Sequence, residues 1–180
     1  MTRALVVYES VLGNTQAVAK AIAEGLGESR PVTVREVADA PDTIPPDVGL
    51  LVVGGPTHAF GMSRPESRAD AEREAPGQVV SRGRGIREWL EDLAPGDGST
   101  PTATFDTRVD KPHLPGSAAK KARKRLAHKG FPEFEQPHSF YVHGKAGPLV
   151  DDELARARSW GEELGRHLAL DESAPGSGRR

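Results

Sequence analysis

Three short segments carry the residues that could hold a ligand, and the first follows directly on a buried strand. It consists of Ser10, Val11, Leu12, Gly13, Asn14 and Thr15. The strand before it, residues 4–8, is a continuous apolar run, and a helical repeat begins at Asn14. The first turn of a helix leaves backbone N–H groups unpaired, and its dipole favours an anion. This turn therefore predicts a phosphate site that needs no lysine or arginine.

Other interpretations of this turn stay open. Gly13 lets the backbone approach a ligand closely, but no second glycine followed by lysine and serine or threonine is present. The turn is therefore not a Walker A loop, and it also lacks the G-x-G-x-x-G spacing of a dinucleotide-binding turn. Serine, asparagine and threonine are favourable N-caps, so an ordinary helix start explains the same residues.

Two later segments add candidates for binding a flat ring. The segment at residues 55–61 contains Pro56, Thr57, His58, Phe60 and Gly61. Phe60 could stack on a ring, and His58 could hydrogen-bond it or change charge near neutral pH. A core or surface aromatic and a solvated loop histidine are the plainer alternatives. The segment at residues 106–113 contains Asp106, Thr107, Arg108 and His113.

Residues 10–15 resemble the phosphate-binding loop of flavodoxins, usually Ser/Thr-x-Thr-Gly-x-Thr, with Leu12 in place of the family's threonine. Residues 55–61 resemble the family's first flavin-ring loop and the similar run of related quinone reductases. The resemblance covers about residues 3–168. It implies that FMN binds with its phosphate on residues 10–15 and its ring between residues 57–61 and 106–113.

The resemblance also implies roles for residues beside the ring. Reduction of the flavin protonates N5, and in the family a glycine peptide turns its carbonyl toward that proton; Gly61 takes this place. Arg108 would put a cation near N1, stabilise the reduced anionic flavin and raise its potential, although a surface salt bridge is the alternative. Backbone groups of Thr107 and Arg108 would bond the pyrimidine edge. The tyrosine that often covers the ring is missing, which leaves a proline, His113, a partner or a substrate.

Five predicted strands and five predicted helices position these segments. The strands are residues 4–8, 32–37, 49–54, 102–109 and 139–143, and the helices are residues 14–26, 67–74, 85–93, 117–128 and 151–168. Alternating strands and helices predict an α/β parallel sheet with helices on both faces. The resemblance implies the flavodoxin-like, doubly wound, five-stranded sheet of order 2-1-3-4-5 in a three-layer sandwich. We expect one domain over residues 1–170 and a disordered tail over residues 171–180.

The composition excludes several other classes of protein. The chain has 180 residues, a net charge of −2 and no cysteine, so disulfides, thiolate metal sites and a cysteine nucleophile are excluded. The six histidines have no ligand spacing, which predicts no metal site. Six positive charges lie within residues 120–129, but without interleaved aromatics they favour a solvated helix face over nucleic-acid binding. No apolar run could span a membrane. The first residues lack the basic stretch and apolar region of a signal peptide, so we expect a cytoplasmic protein.

Three functions remain open at this point. The first is an FMN-binding, flavodoxin-like electron carrier that serves a redox partner protein, and the sequence favours it over a stand-alone oxidoreductase. The second is an NAD(P)H-dependent quinone-type reductase with a small-molecule acceptor. The third is a flavin-free interaction module, supported by Leu12 and the missing tyrosine. No catalytic residue is assigned, the chain could be a monomer or a homodimer, and residues 62–82 could form a lid or a dimer contact.

Overall fold

A parallel sheet with helices on both faces forms the centre of the molecule, and the structure, a computed structural model, describes residues 1–174. The strands are β1 (Arg3–Tyr8), β2 (Val32–Glu36), β3 (Val48–His58), β4 (Gly61–Met62), β5 (Thr102–Val109) and β6 (His138–Val142). Their spatial order is β2-β1-β3-β5-β6, and these neighbours all run parallel. The two-residue β4 pairs antiparallel with β3. Apart from β4, the predicted sheet and its 2-1-3-4-5 order are confirmed.

Helices cover the sheet in two layers. They are α1 (Asn14–Gly27), α2 (Pro65–Glu74), α3 (Ile86–Asp92), α4 (Ala118–His128) and α5 (Glu153–Ser173), with a short 3-10 turn at Val37–Asp39. One core contains apolar residues of α1 and α5, and the other contains those of α3 and α4. Along β1, Ala4 and Val6 face the first core and Leu5 and Val7 the second. A strand buried on both faces has no polar alternation, which explains its continuous apolar run.

Close packing at the centre of the sheet depends on a small residue. A Cβ atom added at Gly54 would lie 2.1 Å from the ring of Phe105 on the neighbouring strand β5. The Phe105 ring in turn makes edge contacts with Phe140 and Trp160, at centroid distances of 6.2 and 6.4 Å. Gly54 therefore leaves the space in which this aromatic cluster of the first core packs.

β3 is longer than its sequence indicates. The prediction ended it at residue 54 because Gly55 and Pro56 are typical of loops, but the strand continues to His58. Beyond Gly54 the strand no longer lies beside β1, whose pairing ends at Tyr8. Pro56 has no amide hydrogen to donate, but β1 no longer lies beside it to accept one. A proline is therefore tolerated at this position of the strand. The predicted loop is instead strand followed by a tight hairpin.

The closing helix also exceeds its predicted length. α5 continues to Ser173, three residues into the segment predicted as a disordered tail. The carboxylate of Glu172 accepts hydrogen bonds from Thr2 Oγ1 at 3.1 Å and Arg30 Nη1 at 3.3 Å, which fasten this end to the body of the protein. Residues 175–180 of the predicted tail lie outside the described residues. Over residues 1–174, no helix is long and apolar enough to cross a bilayer.

Candidate functional site

A cleft of about 410 Å³ opens where β1, β3 and β5 end, the edge at which parallel sheets bind ligands. The loop after β1, the ends of β3 and β5, helix α2 and the loop after β6 form its walls. Nine residues predicted from sequence line it, namely Val11, Leu12, Asn14, Thr15, Pro56, Thr57, His58, Thr107 and Arg108. Its lining does not include six others, namely Ser10, Gly13, Phe60, Gly61, Asp106 and His113.

The loop after β1 presents unpaired backbone donors. The N–H groups of Leu12, Asn14 and Thr15 have no hydrogen-bond partner within residues 1–174. Gly13 precedes α1 with a φ of 91°, a left-handed conformation that glycine adopts without strain. Several free N–H groups at the start of a helix form a cradle suited to an anion such as phosphate.

Ser10 shapes this loop from inside the protein. Its side chain is buried, and its Oγ accepts hydrogen bonds from the backbone N–H groups of Gly13 at 3.2 Å and Gln16 at 3.1 Å. The Ser10 N–H donates to Ser81 Oγ at 2.9 Å. The N-cap position of α1 is Gly13, which has no side chain to cap the helix, so the Ser10 hydroxyl binds the first turn from outside the helix. Contact between Ser10 and the cofactor stays a prediction.

Side-chain contacts join the walls of the cleft to one another. The hydroxyls of Thr15 and Thr107 lie 2.6 Å apart, and both residues are buried. Asn14 Nδ2 donates to the Ala146 carbonyl at 3.1 Å, so the loop after β6 lies against the loop after β1. Neighbouring Lys145 lines the cleft and brings a cation that the sequence interpretation did not include.

Asp106 lies behind the cleft and organises its far wall. Its Oδ2 accepts hydrogen bonds from Thr57 Oγ1 at 3.0 Å, Ser117 Oγ at 2.6 Å and the Ala119 N–H at 3.1 Å. Its Oδ1 is buried without a hydrogen-bond partner in the described part of the chain. The carboxylate therefore faces the start of α4 instead of the cleft, and it ties that helix to the end of β3.

Phe60 and Gly61 belong to the hairpin between β3 and β4. Its two turn residues, Ala59 and Phe60, have φ values of 40° and 74°, as expected of a two-residue turn with positive φ at both positions. The Phe60 side chain is 54% exposed and is not part of the lining of the cleft. Gly61 is buried in β4, where an added Cβ would lie 2.7 Å from Lys121 Nζ. Ring stacking by Phe60 and a carbonyl turn at Gly61 stay predictions.

His58 lies in the wall of the cleft, with its Nδ1 3.2 Å from Ser67 Oγ on α2. Burial lowers the pKa of His58 below its usual value, and the positive charges of Arg68 and Lys145 lower it further. The imidazole is therefore neutral near pH 7 and offers the cleft a hydrogen-bonding group without a charge.

Arg108 and His113 end up in different surroundings. Arg108 lines the cleft, and its guanidinium donates to the Leu114 carbonyl. No carboxylate forms an ion pair with Arg108 among residues 1–174, so the salt bridge considered from the sequence is not formed there. His113 is exposed in the loop that leads to α4 and does not line the cleft.

Helix α2, which falls in the segment whose role the sequence left open, forms one wall of the cleft. Its lining residues are Ser67, Asp70, Ala71 and Glu74, and Ala75, directly after the helix, also lines the cleft. The spacing i, i+3, i+4 and i+7 of the four helical residues is that of one helix face. Sequence analysis missed this face because its residues are polar or small, and amphipathic analysis looks for an apolar stripe.

Arg68, on an adjacent face of α2, fastens this helix to the sheet. Its guanidinium donates to Ser63 Oγ at 2.9 Å and Glu88 Oε2 at 3.0 Å, and lies 3.5 Å from Glu9 Oε1. Glu9 is 1% exposed, and its Oε1 also accepts a 2.5 Å hydrogen bond from Ser63. Burial raises the pKa of Glu9, against the lowering effects of Ser63 and Arg68. This buried cluster holds α2 over the end of β1.

No group of three or more histidine or acidic side chains in the described ranges is arranged to hold a metal ion. The arrangement of the cleft is that of a site for an anionic, partly apolar ligand. Free backbone N–H groups lie at one end, while aliphatic and small side chains of β3, β5 and α2 form the walls.

Comparisons with known proteins agree with this geometry. Residues 6–85 match the flavodoxin family. An NAD(P)H dehydrogenase (quinone) of Archaeoglobus fulgidus is 37% identical over 76 residues, which are 39% of this chain and only 38% of that relative.

Solved structures match over almost the whole chain. Flavodoxin 1 from Bacillus cereus, in its oxidised form, has a TM-score of 0.64 at 16% identity and covers 92% of this chain and 99% of its own. A flavodoxin from the domain Archaea has a TM-score of 0.60 at 17% identity, covering 93% and 99%. At such identities the likeness establishes the fold.

Proposed function

We propose that this chain, a flavodoxin-like protein by its fold and by the family match of residues 6–85, binds FMN and transfers electrons. The observation that carries the proposal is the cradle of free N–H groups at Leu12, Asn14 and Thr15, at one end of a cleft bounded by the ends of β3 and β5. A phosphate on a flat ring system fits this combination of anion site and walled cleft.

Individual residues have separate tasks in this proposal. The N–H groups of residues 12–15 would hold the phosphate, with the Lys145 ammonium beside them. Pro56, Thr57 and His58 would flank the ring on one side, and Thr107 and Arg108 on the other. FMN, when bound, supplies the chemistry of electron acceptance and donation. The Arg108 cation would favour negative charge on the ring, and α2 would restrict water in the cleft.

An NAD(P)H-dependent reductase is the second candidate, because the matching Archaeoglobus fulgidus protein is named an NAD(P)H dehydrogenase (quinone). The two functions differ in what they need. A reductase oxidises NAD(P)H with a small quinone and no partner protein, whereas a carrier needs a protein to deliver electrons. For either candidate function we also propose a cytoplasmic location and a monomeric or homodimeric state.

The test is the visible spectrum of the purified protein after FMN is added and unbound flavin is removed by desalting. Retained oxidised-flavin bands, shifted from those of free FMN, would support the proposal. The loaded protein would then be mixed with NADPH or NADH and a soluble quinone. Rapid oxidation of the nucleotide would favour the reductase over the carrier. A colourless protein after desalting would contradict both and leave the flavin-free interaction module.

A further inference from the structure

Two large apolar side chains are exposed in neighbouring loops at the mouth of the cleft. Phe60 is 54% exposed and Leu114 is 53% exposed. The loop of Leu114 lies directly on the hairpin, because a Cβ added at Gly116 would be 2.1 Å from the Phe60 carbonyl oxygen. Exposed aromatic and aliphatic side chains that lie close together are characteristic of protein interaction sites.

The backbone holds Phe60 in this exposed position. Ala59 and Phe60 both have positive φ, which is uncommon for residues other than glycine, and strained for a bulky aromatic. Such strain persists only where the surrounding structure enforces it, and it often marks functional sites. Here the enforcing structure is the β3–β4 hairpin, with Lys121 packed over Gly61 and Gly116 against Phe60.

Positive charges are concentrated in the segment that contains Leu114 and the first turns of α4. Residues 108–125 contain seven lysines and arginines and one acidic residue, Asp110, although the chain as a whole has a net charge of −2. Arg123 and Arg125 pair with Glu133 and Glu91. The remaining lysines of this stretch, Lys111, Lys120, Lys121 and Lys124, are exposed and have no ion-pair partner within residues 1–174.

We infer that these residues form a docking surface for a partner protein with an acidic surface. The surface, called the cationic rim below, consists of Phe60, Leu114, Lys111, Lys120, Lys121 and Lys124. The inference rests on the proposed function in one respect, because it places the partner at the mouth of the flavin cleft. Charge complementarity fixes the chemistry of the partner, since unpaired lysines attract carboxylates and accelerate encounter. The two apolar side chains supply the contact that excludes water.

A protein fits this surface better than a nucleic acid does. Helix α4 carries its lysines without interleaved aromatics on which bases could stack. Asp70 and Glu74 of α2 line the cleft. Their carboxylates would repel a phosphate backbone that extended from the rim across the cleft.

The experiment measures binding directly. A synthetic peptide of twelve residues, three repeats of Glu-Glu-Phe-Glu, is titrated into the purified, FMN-treated protein and followed by NMR or calorimetry at low salt. The same titration is run with the variants Lys120→Glu/Lys124→Glu and Phe60→Ser. We expect each variant to weaken binding by about fivefold or more, and added salt to weaken binding of the unaltered protein.

Matched controls lie on the opposite face of the sheet. Lys20→Glu/Arg166→Glu makes the same charge change at exposed positions of α1 and α5, and Leu170→Ser replaces an exposed leucine of α5. Equal weakening by the test and control pairs, or no peptide binding by the unaltered protein, would overturn the inference. Tighter binding of a thymidine oligonucleotide at the rim would also overturn it.

The flavin spectrum of each sample separates this result from the proposed function. Lys120 and Lys124 do not line the cleft, so Lys120→Glu/Lys124→Glu should retain FMN as the unaltered protein does. Peptide binding without FMN retention would contradict the proposed function and leave the docking surface in place. FMN retention without rim-dependent peptide binding would overturn the docking surface and leave the proposed function in place.

Discussion

The hydroxyl of Thr15, at the start of α1, lies 2.6 Å from the hydroxyl of Thr107, at the end of β5. Ninety-two positions separate the two residues in the chain, yet this hydrogen bond joins the proposed phosphate end of the cleft to the proposed ring end. Both side chains are almost fully buried, at 2% and 5% exposure. Neither hydroxyl can therefore readily exchange its partner for bulk water.

The first prediction tests this pair. Thr107→Val leaves the Thr15 hydroxyl buried without a partner, which should lower the free energy of unfolding by about 1–3 kcal/mol. The double variant Thr15→Val/Thr107→Val removes both hydroxyls and should recover much of that loss. Denaturant unfolding of the four proteins gives the coupling energy.

Thr104 provides the control for this prediction. It lies on the same strand, is buried, and its hydroxyl has no partner among the described residues. Thr104→Val should therefore be neutral or stabilising. If Thr104→Val lowered the free energy of unfolding as much as Thr107→Val does, the loss would come from packing and not from the hydrogen bond.

The second prediction concerns Leu12, which stands where flavodoxins usually have a threonine and which lines the cleft. Leu12→Thr should tighten FMN binding by about tenfold or more, because a hydroxyl that donates to a charged phosphate contributes about 1.5–3 kcal/mol. Quenching of flavin fluorescence gives the dissociation constant. Leu12→Val controls for side-chain shape without a hydroxyl, and equal effects of the two substitutions would contradict the assignment of this loop to the phosphate.

The third prediction concerns the attachment of α2. Arg68→Ala should lower the free energy of unfolding by about 3–5 kcal/mol near neutral pH, because it leaves the buried Glu9 carboxylate without its cation. Arg73→Ala removes an exposed pair with Asp70 on the same helix and should cost less than about 1 kcal/mol. Chemical denaturation measures both. Similar losses for the two variants would contradict the role given to Arg68.

The same cluster predicts a pH dependence of known sign. The pKa of Glu9 is raised from its usual 4.5, so folding favours its neutral form. The stability contributed by that neutral carboxyl is fully present below pH 4.5 and is lost as the pH rises through the folded pKa. The deficit of Arg68→Ala should therefore grow with pH, and Glu9→Gln/Arg68→Met should remove this trend. A deficit that is constant from pH 4 to 8 would rule this explanation out.

The fourth prediction concerns His58, whose pKa is lowered from 6.5. A histidine with a lowered folded pKa contributes stability that is present above pH 6.5 and lost as the pH falls through the folded pKa. Lys145→Gln removes one repelling charge and should move the pKa of His58 upward, while burial keeps it below 6.5. Proton NMR of the imidazole measures it. As a control, His143→Asn, at an exposed position, should leave the pKa of His58 unchanged. If Lys145→Gln also left the pKa of His58 unchanged, Lys145 would not lie near His58.

The sequence predicted the sheet well because strands buried on both faces are continuous apolar runs, and residues 4–8 and 49–54 are of this kind. The order of the strands came from the family resemblance, since hydrophobicity alone does not specify which strands are neighbours. The turn between β1 and α1 was predicted for the same local reason, because a strand, a short turn with Gly13 and a helix start are adjacent in the chain.

The parts of the cleft that depend on distant contacts were not predicted. The hairpin that carries Phe60 was expected to be an open loop, but pairing of β3 with β5 and β4 extends the strand up to its turn. Asp106 was expected in the cleft, although three donors from β3 and α4 hold its carboxylate behind it. The wall formed by α2 depends on Arg68 and the buried Glu9, and a charged helix in a sequence does not show where such a pair will dock it.

The walls of the cleft come from most of the length of the chain, from Val11 to Lys145. No half of the protein contains the complete site, so the cleft exists only after β5 and β6 have joined the strands formed by the first half. A ligand of this cleft binds the native state and not the partly folded ones. Its binding energy is thereby added to the stability of the entire domain by mass action. The holo protein would resist global unfolding and proteolysis, and release of the ligand would be an early sign of damage to any strand.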